Sequence, residues 1–392
     1  MRVGSVTDFY YPWIGGPATM IRNLGHGLGA RGHSVSLLAP SPDGRREPES
    51  DGNITVQRAP SVPIPVGYQL RVSSSPLLAT SRWLDHVEPD IVHVHHPFPL
   101  SAAAVWAARR RGIPIVATNH TIPDCALWGI RDFGPAYKVI SSGFARWIVR
   151  VLARCSAVAT PTETAAELLR QLGYHGHIVP ISNGVDTARF QPGPPSSSLA
   201  QRLQLSDRPV VLYTGRLDAE KQLDVWLRGA AMLAAELDIQ FLIGGQGAER
   251  PRLEAIASAL GISDRIIFFG YLAEEEYPQI YRLADVFCIT SPVELQSIST
   301  LEAMASGLPI VAVRAGALPE LVSEGENGLL VEPGNASALA RALASVLQDT
   351  SALSSMGSHS RTIALQHDLC ETVERYERLF FQAAGVDEGA RA

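Results

Sequence analysis

Short runs of apolar, largely β-branched residues recur along this chain, and each is continuous rather than alternating. In the first half they fall at 2–6, 35–38, 91–95, 115–118, 157–160 and 178–181. In the second half they fall at 210–213, 240–243, 266–269, 286–289 and 310–313. Continuous apolar strands are those covered on both faces, as in parallel sheets. Helical patterns, such as 225–236 and 250–259, lie between them. This βαβ rhythm, repeated in two halves, predicts an α/β chain with two doubly wound parallel sheets.

At 392 residues the chain exceeds one ordinary core. The Pro/Gly/Ser stretch 191–198 reads as a linker. The expected domains are 1–185, 186–368 and a last helix from 369 that packs back on the first domain, with 385–392 as a frayed tail. No apolar run approaches the roughly 18 residues of a membrane span, and the start reads as a strand rather than a signal peptide. Cys125, Cys155, Cys288 and Cys370 are scattered, as buried thiols in a reducing compartment would be. A cytoplasmic protein is expected. Charge is uneven: residues 1–185 carry 17 Lys/Arg against 12 Asp/Glu, while the whole chain is −6. The acidic balance and the lack of a basic stripe speak against nucleic-acid binding.

The unusual side chains follow strand ends. They include His95, His96, His120, Arg216, Lys221, Gly244 to Gly247 and Glu294. In open α/β sheets that edge is where ligands bind. Glu294 and Glu302 lie eight positions apart, around a helix that should stop at Gly307 and Pro309. Glu302 falls on the helix's apolar stripe with Leu295, Ile298, Leu301 and Ala305, where a carboxylate is costly unless something polar satisfies it. One isolated buried glutamate is more often a core salt bridge or local hydrogen bond. Eight helical residues rise roughly 12 Å, too far for a hydrolytic carboxylate pair at roughly 5–9.5 Å. The spacing suits the two ends of an extended ligand, with N–H groups of Leu295 to Ser297 between them for an anion. A sugar, phosphates and a ribose describe such a ligand: a nucleotide sugar.

With YYPWIGGP near the start, NHT at 119–121, SNGVDTARF at 182–190, TGRLDAEKQLD at 214–224 and the E-x7-E pair in this order, the chain resembles retaining glycosyltransferases of family 4 over nearly its whole length. GRLDAEKQLD and ELQS are similar to those of members that glucosylate diacylglycerol. The resemblance implies GT-B architecture, two Rossmann-like domains facing across a cleft. It implies that Arg216 and Lys221 bind the donor diphosphate, that His120 meets the transferred sugar, that Glu294 holds its hydroxyls and that Glu302 holds the ribose. Gly15, Gly16, Gly215, Gly245, Leu295, Gln296, Ser297 and Ile298 complete the implied donor site. Retention, by a front-side path in which the leaving phosphate helps deprotonate the acceptor, is likewise implied by the resemblance. No cofactor is expected, since the nucleotide sugar is a substrate. No Asp-x-Asp occurs, which disfavours metal-dependent transfer, and His93, His95 and His96 lack a third-ligand motif for a metal.

Asp8, Tyr10, Tyr11, His95 and His96 are candidates for acceptor contact. Arg146, Arg150 and Arg154 follow one another at i+4, with Trp147 among them. Such a helix lies on anionic lipid or is a plain domain helix with a solvated basic stripe. The apolar loops 60–76 and 122–131 favour lipid. The expected partners are therefore a nucleotide sugar, UDP-glucose ahead of GDP-mannose, and a lipid acceptor at an anionic membrane surface. A soluble acceptor such as an inositol, an amino sugar or a glycan is the alternative. A nucleotide-sugar 2-epimerase would lack the retaining signature, and a nicotinamide dehydrogenase needs the full GxGxxG that GGQG does not supply. A binding-only module would not need the full set of Gly16, His120, Arg216, Lys221, Glu294 and Glu302.

Overall fold

The computed structural model describes residues 1–13, 15–44, 47–64 and 71–386. Part of the 60–76 loop and the end of the tail lie outside the described residues. The chain divides into two compact units, Met1–Asn183 with Leu369–Ala392, and Gly184–Asp368.

The first unit is an eight-stranded sheet. In chain order its strands are β1 (Arg2–Thr7), β2 (Ser34–Pro40), β3 (Glu49–Asp51) and β4 (Ile54–Ala59). A two-stranded ribbon, β5 (Ser61–Pro63) and β6 (Arg71–Ser73), stands apart. The sheet resumes with β7 (Ile91–His95), β8 (Ile115–Thr118), β9 (Ala157–Thr160) and β10 (Ile178–Pro180). The spatial order is β10-β9-β8-β7-β1-β2-β4-β3. All neighbours are parallel except β3 with β4. Val3 pairs with Val35 on one side and Ile91 on the other. The chain therefore leaves β1 toward β2, then returns to β1's other flank as β7.

The second unit holds β11 (Val210–Thr214), β12 (Gln240–Gly244), β13 (Ile266–Gly270), β14 (Val286–Ile289), β15 (Ile310–Val313) and β16 (Gly328–Val331). Their order is β13-β12-β11-β14-β15-β16, all parallel. Here β11 is flanked by β12 and β14, so the strand order reverses between β11 and β14. The two doubly wound sheets thus carry one switch point each, at β1/β7 and at β11/β14, where the loops at the carboxyl ends part and leave a crevice.

Strands that cover both faces match the apolar runs. The three sheet strands the runs did not announce are peripheral ones: β4 alternates buried and open residues, β3 is short and polar, and β16 is a four-residue edge. Residues 191–198 do not join the units. They lie inside the second one, because Val185 already pairs beside Asp368 and Phe190 is buried in the second core. The last helix, Leu369–Ala384, belongs to the first unit. There Tyr376 Oη meets Thr118 Oγ1 at 3.0 Å, and Glu377 accepts from Arg31 (2.6 Å) and pairs with His33 Nε2 (2.6 Å).

Candidate functional site

At the β11/β14 switch point the backbone is built for close approach. Gly245 has φ +114, and a Cβ there would stand 1.9 Å from the carbonyl oxygen of Gly215, so only glycine lets the two loops meet. Gly215 N–H donates to the Gly244 carbonyl (3.1 Å), and Leu217 N–H to that of Gln246 (2.9 Å). Between these bonds Arg216 leaves the sheet edge, its carbonyl held by Tyr213 Oη (3.0 Å). The turn that follows, Ala219–Lys221, is tied to the β14 loop: Thr290 Oγ1 donates to the Lys221 carbonyl at 2.9 Å. This brings Lys221 Nζ within 2.7 Å of Glu294 Oε1.

Both cations are already paired. Arg216 reaches Asp218 and Glu220, each at 2.5 Å. Burial raises the cost of charge at Glu294, but Lys221, then Ser291 and Arg216, outweigh it and hold its pKa below the usual value. At Asp218 burial wins and the pKa is raised despite Arg216. Two cations thus meet three carboxylates. Sequence reasoning did not weigh Asp218 and Glu220, although Arg216 and Glu220 stand at i and i+4.

The helix that carries Glu302 is Ile298–Ala305, capped by Ser297 Oγ, which accepts from Thr300 N–H at 3.2 Å. Glu294 therefore precedes the helix in a loop, and the 12 Å helical rise between the two glutamates does not apply. Leu295, Gln296 and Ser297 are buried loop residues. The N–H groups of Ile298 and Ser299, at the start of the helix, have no acceptor within it. Nor is there a single apolar stripe: Thr300 to Ala305 are all buried. Glu302, 6% exposed, accepts from Tyr281 Oη at 2.6 Å and Tyr277 Oη at 3.0 Å. Both hydroxyls go to Oε2, and no described residue bonds Oε1. Burial pushes its pKa up to about 7 against the two tyrosines' hydrogen bonds.

The β1/β7 switch point in the first unit is neutral and aromatic. His95 Nε2 lies 3.2 Å from Ser5 Oγ, and its Nδ1 lies 3.4 Å from His120 Nε2. His93 Nε2 meets Thr118 Oγ1 at 2.7 Å. His96, at φ +71, pairs through Nδ1 with Thr121 Oγ1 (3.0 Å) and is ringed by Phe9, Phe98 and His120. Its Nε2 is buried without a partner among the described residues, as are both side-chain polar atoms of Asn119. Burial pushes His93 and His120 down to about 3 and His95 and His96 well below the ordinary histidine value. Among the described residues no three His, Cys, Asp or Glu are grouped to hold a metal ion.

Several predicted contacts are already engaged. Asp8 anchors the start of the Pro99–Arg110 helix, accepting from Leu100 N–H (2.9 Å), Ser101 N–H (3.1 Å) and Ser101 Oγ (2.8 Å). Both of its oxygens are used, and burial raises its pKa to about 6. Tyr10 is buried and its hydroxyl donates to Asp51 (2.7 Å). His95 is buried, with Ser5 Oγ on its Nε2 and His120 on its Nδ1. Tyr11 lies beneath the Arg22 guanidinium, 5.2 Å from its ring centre. Gly15 precedes the Gly16–Ala30 helix, and a Cβ on it would stand 2.6 Å from the far edge of the Trp13 indole. Of the basic helix residues, Arg146 and Arg150 are exposed on the Pro135–Leu152 helix, while Arg154 lies beyond its end and folds back onto the Arg150 carbonyl. Trp147 points inward, donating to the Pro97 carbonyl (2.6 Å) against Trp106.

Two Rossmann-like units with loops gathered at a switch point in each define the GT-B class of fold. A solved Anabaena protein, HepE in complex with UDP-glucose, shares it with a TM-score of 0.79 at 20% identity, over 97% of this chain and 100% of its own. The model of glycosyltransferase family 4 matches residues 14–189, and that of glycosyl transferases group 1 matches 197–362. A GDP-mannose-dependent alpha-mannosyltransferase of Corynebacterium glutamicum is 30% identical over 85% of this chain and 77% of its own. An alpha-monoglucosyldiacylglycerol synthase of Streptococcus pneumoniae is 28% identical over 84% and 75%. The chain belongs to the group-1 glycosyltransferases of family 4.

Proposed function

We propose that this glycosyltransferase moves a hexose, with retention and without a metal, from a nucleotide sugar to a hydroxyl of a membrane lipid such as diacylglycerol. UDP-glucose is the favoured donor and GDP-mannose the next. The observation that carries the reading is the Lys221–Glu294 pair beside Arg216 at the β11/β14 switch point. Preplaced cations there suit a diphosphate whose charge grows as it leaves. When the donor arrives, Arg216 and Lys221 exchange carboxylate for phosphate oxygens, which frees Glu294 to accept from sugar hydroxyls. The unpartnered Oε1 of Glu302 suits a ribose hydroxyl.

In the reaction the bond from the sugar's anomeric carbon to phosphate breaks, its electron pair leaving with the nucleoside diphosphate. The acceptor oxygen bonds the same face of that carbon, and its proton passes to the leaving phosphate. His120, uncharged and partly open on the first unit, supplies a neutral polar contact to the transferred sugar. The unit that carries it is the acceptor domain, where His96 Nε2 remains to receive a hydroxyl. The relatives' names support the donor and acceptor choices: one is GDP-mannose-dependent, and the other makes monoglucosyldiacylglycerol. The protein works on the cytoplasmic face of a membrane as a peripheral enzyme. No described helix is long and apolar enough to cross one.

The test is transfer from labelled UDP-glucose or GDP-mannose to diacylglycerol in mixed micelles, with chelator present and the product's anomeric configuration read by NMR. An α-glycosyl lipid is expected. Transfer only to a water-soluble acceptor would remove the lipid, a β-product would remove retention, and dependence on added metal would remove the metal-free step.

A further inference from the structure

Residues 124–147 contain no buried side chain, although they run through a short helix (Pro123–Ala126), a 3-10 turn (Trp128–Phe133) and the first three turns of the Pro135–Leu152 helix. The helix is rooted only at its far end, where Ile148, Val151 and Leu152 enter the first unit's core and Phe144 stacks on Phe98. Its free end is apolar. Phe133 is 64% exposed, Val139 74% and Ile140 46%. Isolated exposed hydrophobics are ordinary, but three within eight residues of one exposed element mark an interaction surface.

The surrounding charge selects the occupant. Arg131, Lys138, Arg146 and Arg150 are exposed around this element. Arg131 lies flat over the Trp128 ring at 4.1 Å. The nearby acids, Asp124, which accepts from Tyr137 Oη (2.6 Å), and Asp132, are outnumbered two to one by these four cations. Val139, Gly143, Arg146 and Arg150 follow one stripe, and from Val139 to Arg150 the helix rises roughly 16 Å. Apolar residues at the tip, an amphipathic tryptophan beside them and cations farther up the shaft match the depth profile of an anionic lipid leaflet.

We infer that this element docks on an anionic bilayer by inserting Phe133, Val139 and Ile140, with Arg146 and Arg150, farther along the helix, reaching the phosphate level. The surface is thus the tip of the helix rather than the Arg146–Arg150–Arg154 stripe with Trp147. It deepens the lipid-acceptor reading, which bears on the choice of occupant.

The test is co-sedimentation of the full chain with phosphatidylglycerol or phosphatidylcholine vesicles. It compares the protein with a Phe133→Ser/Val139→Ser/Ile140→Ser variant, whose three sites are open enough that its melting temperature should not move. The expected result is selective binding to phosphatidylglycerol, reduced at least tenfold in the triple variant, with transfer to a short-chain soluble acceptor retained. Equal partitioning of protein and variant, or no preference for the anionic vesicle, overturns the inference. The two readings separate cleanly: lipid glycosylation with unchanged partitioning sinks the tip alone. Lost partitioning with no glycosylated lipid in any assay sinks the acceptor alone.

Discussion

At the β11/β14 switch point two cations meet three carboxylates at hydrogen-bond distance; at the β1/β7 switch point four imidazoles are kept uncharged by burial. The same topology has been filled in opposite ways. A charged ligand group, such as a diphosphate, finds counter-charges on the second unit. A neutral, hydroxyl-bearing group finds uncharged donors and acceptors on the first. The proposed division of labour between a donor unit and an acceptor unit rests on that electrostatic difference.

The sharpest way to break the comparison is to remove the counter-charge. Glu294→Gln and Lys221→Ala should each lower turnover roughly 10²–10³-fold or more; turnover close to that of the unmodified protein in either would end the assignment of this pair. Breaking the pair leaves its partner charge partly buried, so melting curves must accompany the rates. On the neutral side, His120→Ala should cost roughly 10²-fold in turnover while nucleotide affinity stays within about twofold, a separation checked by calorimetry.

Protonation should sort the units next. His93 has a folded pKa of about 3 against 6.5 unfolded, so below pH 6.5 the unfolded chain binds the extra proton and the first unit loses stability as pH falls toward 3. The loss is on the order of 2 kcal/mol at pH 5 for this residue alone. His95 and His96 add in the same direction. Glu302 works the other way: its folded pKa of about 7 lies above 4.5, so the native second unit holds the extra proton, and its contribution weakens as pH rises from 4.5 to 7. Hydrogen exchange at pH 5 and pH 8 would report each unit separately. Acid-sensitive exchange confined to the second unit would contradict this picture.

The smallest effect is the most discriminating one. Glu302→Gln keeps an acceptor for Tyr277 and Tyr281 and removes a costly buried charge, so the second unit should be as stable or more stable at pH 8. Nucleotide affinity should nevertheless fall about tenfold. Unchanged affinity would make Glu302 a core residue satisfied by its tyrosines and nothing more.

How much of this was legible follows from the range of each interaction. Runs such as Val210–Tyr213 and Ile310–Val313 announced central strands because both of their faces are covered. The alternating β4 and the four-residue β16 escaped, since neither shows a long continuous apolar run. The pairing of Arg216 with Glu220 was present in the sequence as an i, i+4 spacing. The clasp of Tyr277 and Tyr281 on Glu302 spans more than twenty residues and leaves no local trace. Asp8 and Tyr10 looked like loop contacts because nothing in their neighbourhood names Ser101 or Asp51 as their partners, which lie 93 and 41 residues away.

The central claim is that the second unit's switch point grips a donor diphosphate. The most direct test is calorimetric titration of UDP-glucose and GDP-mannose into the protein and into Lys221→Ala, with chelator present. The account predicts saturable binding of one donor, weakened at least tenfold by the substitution while the melting temperature of the first unit holds. Equal affinity in both proteins, or no binding of either donor, would contradict it.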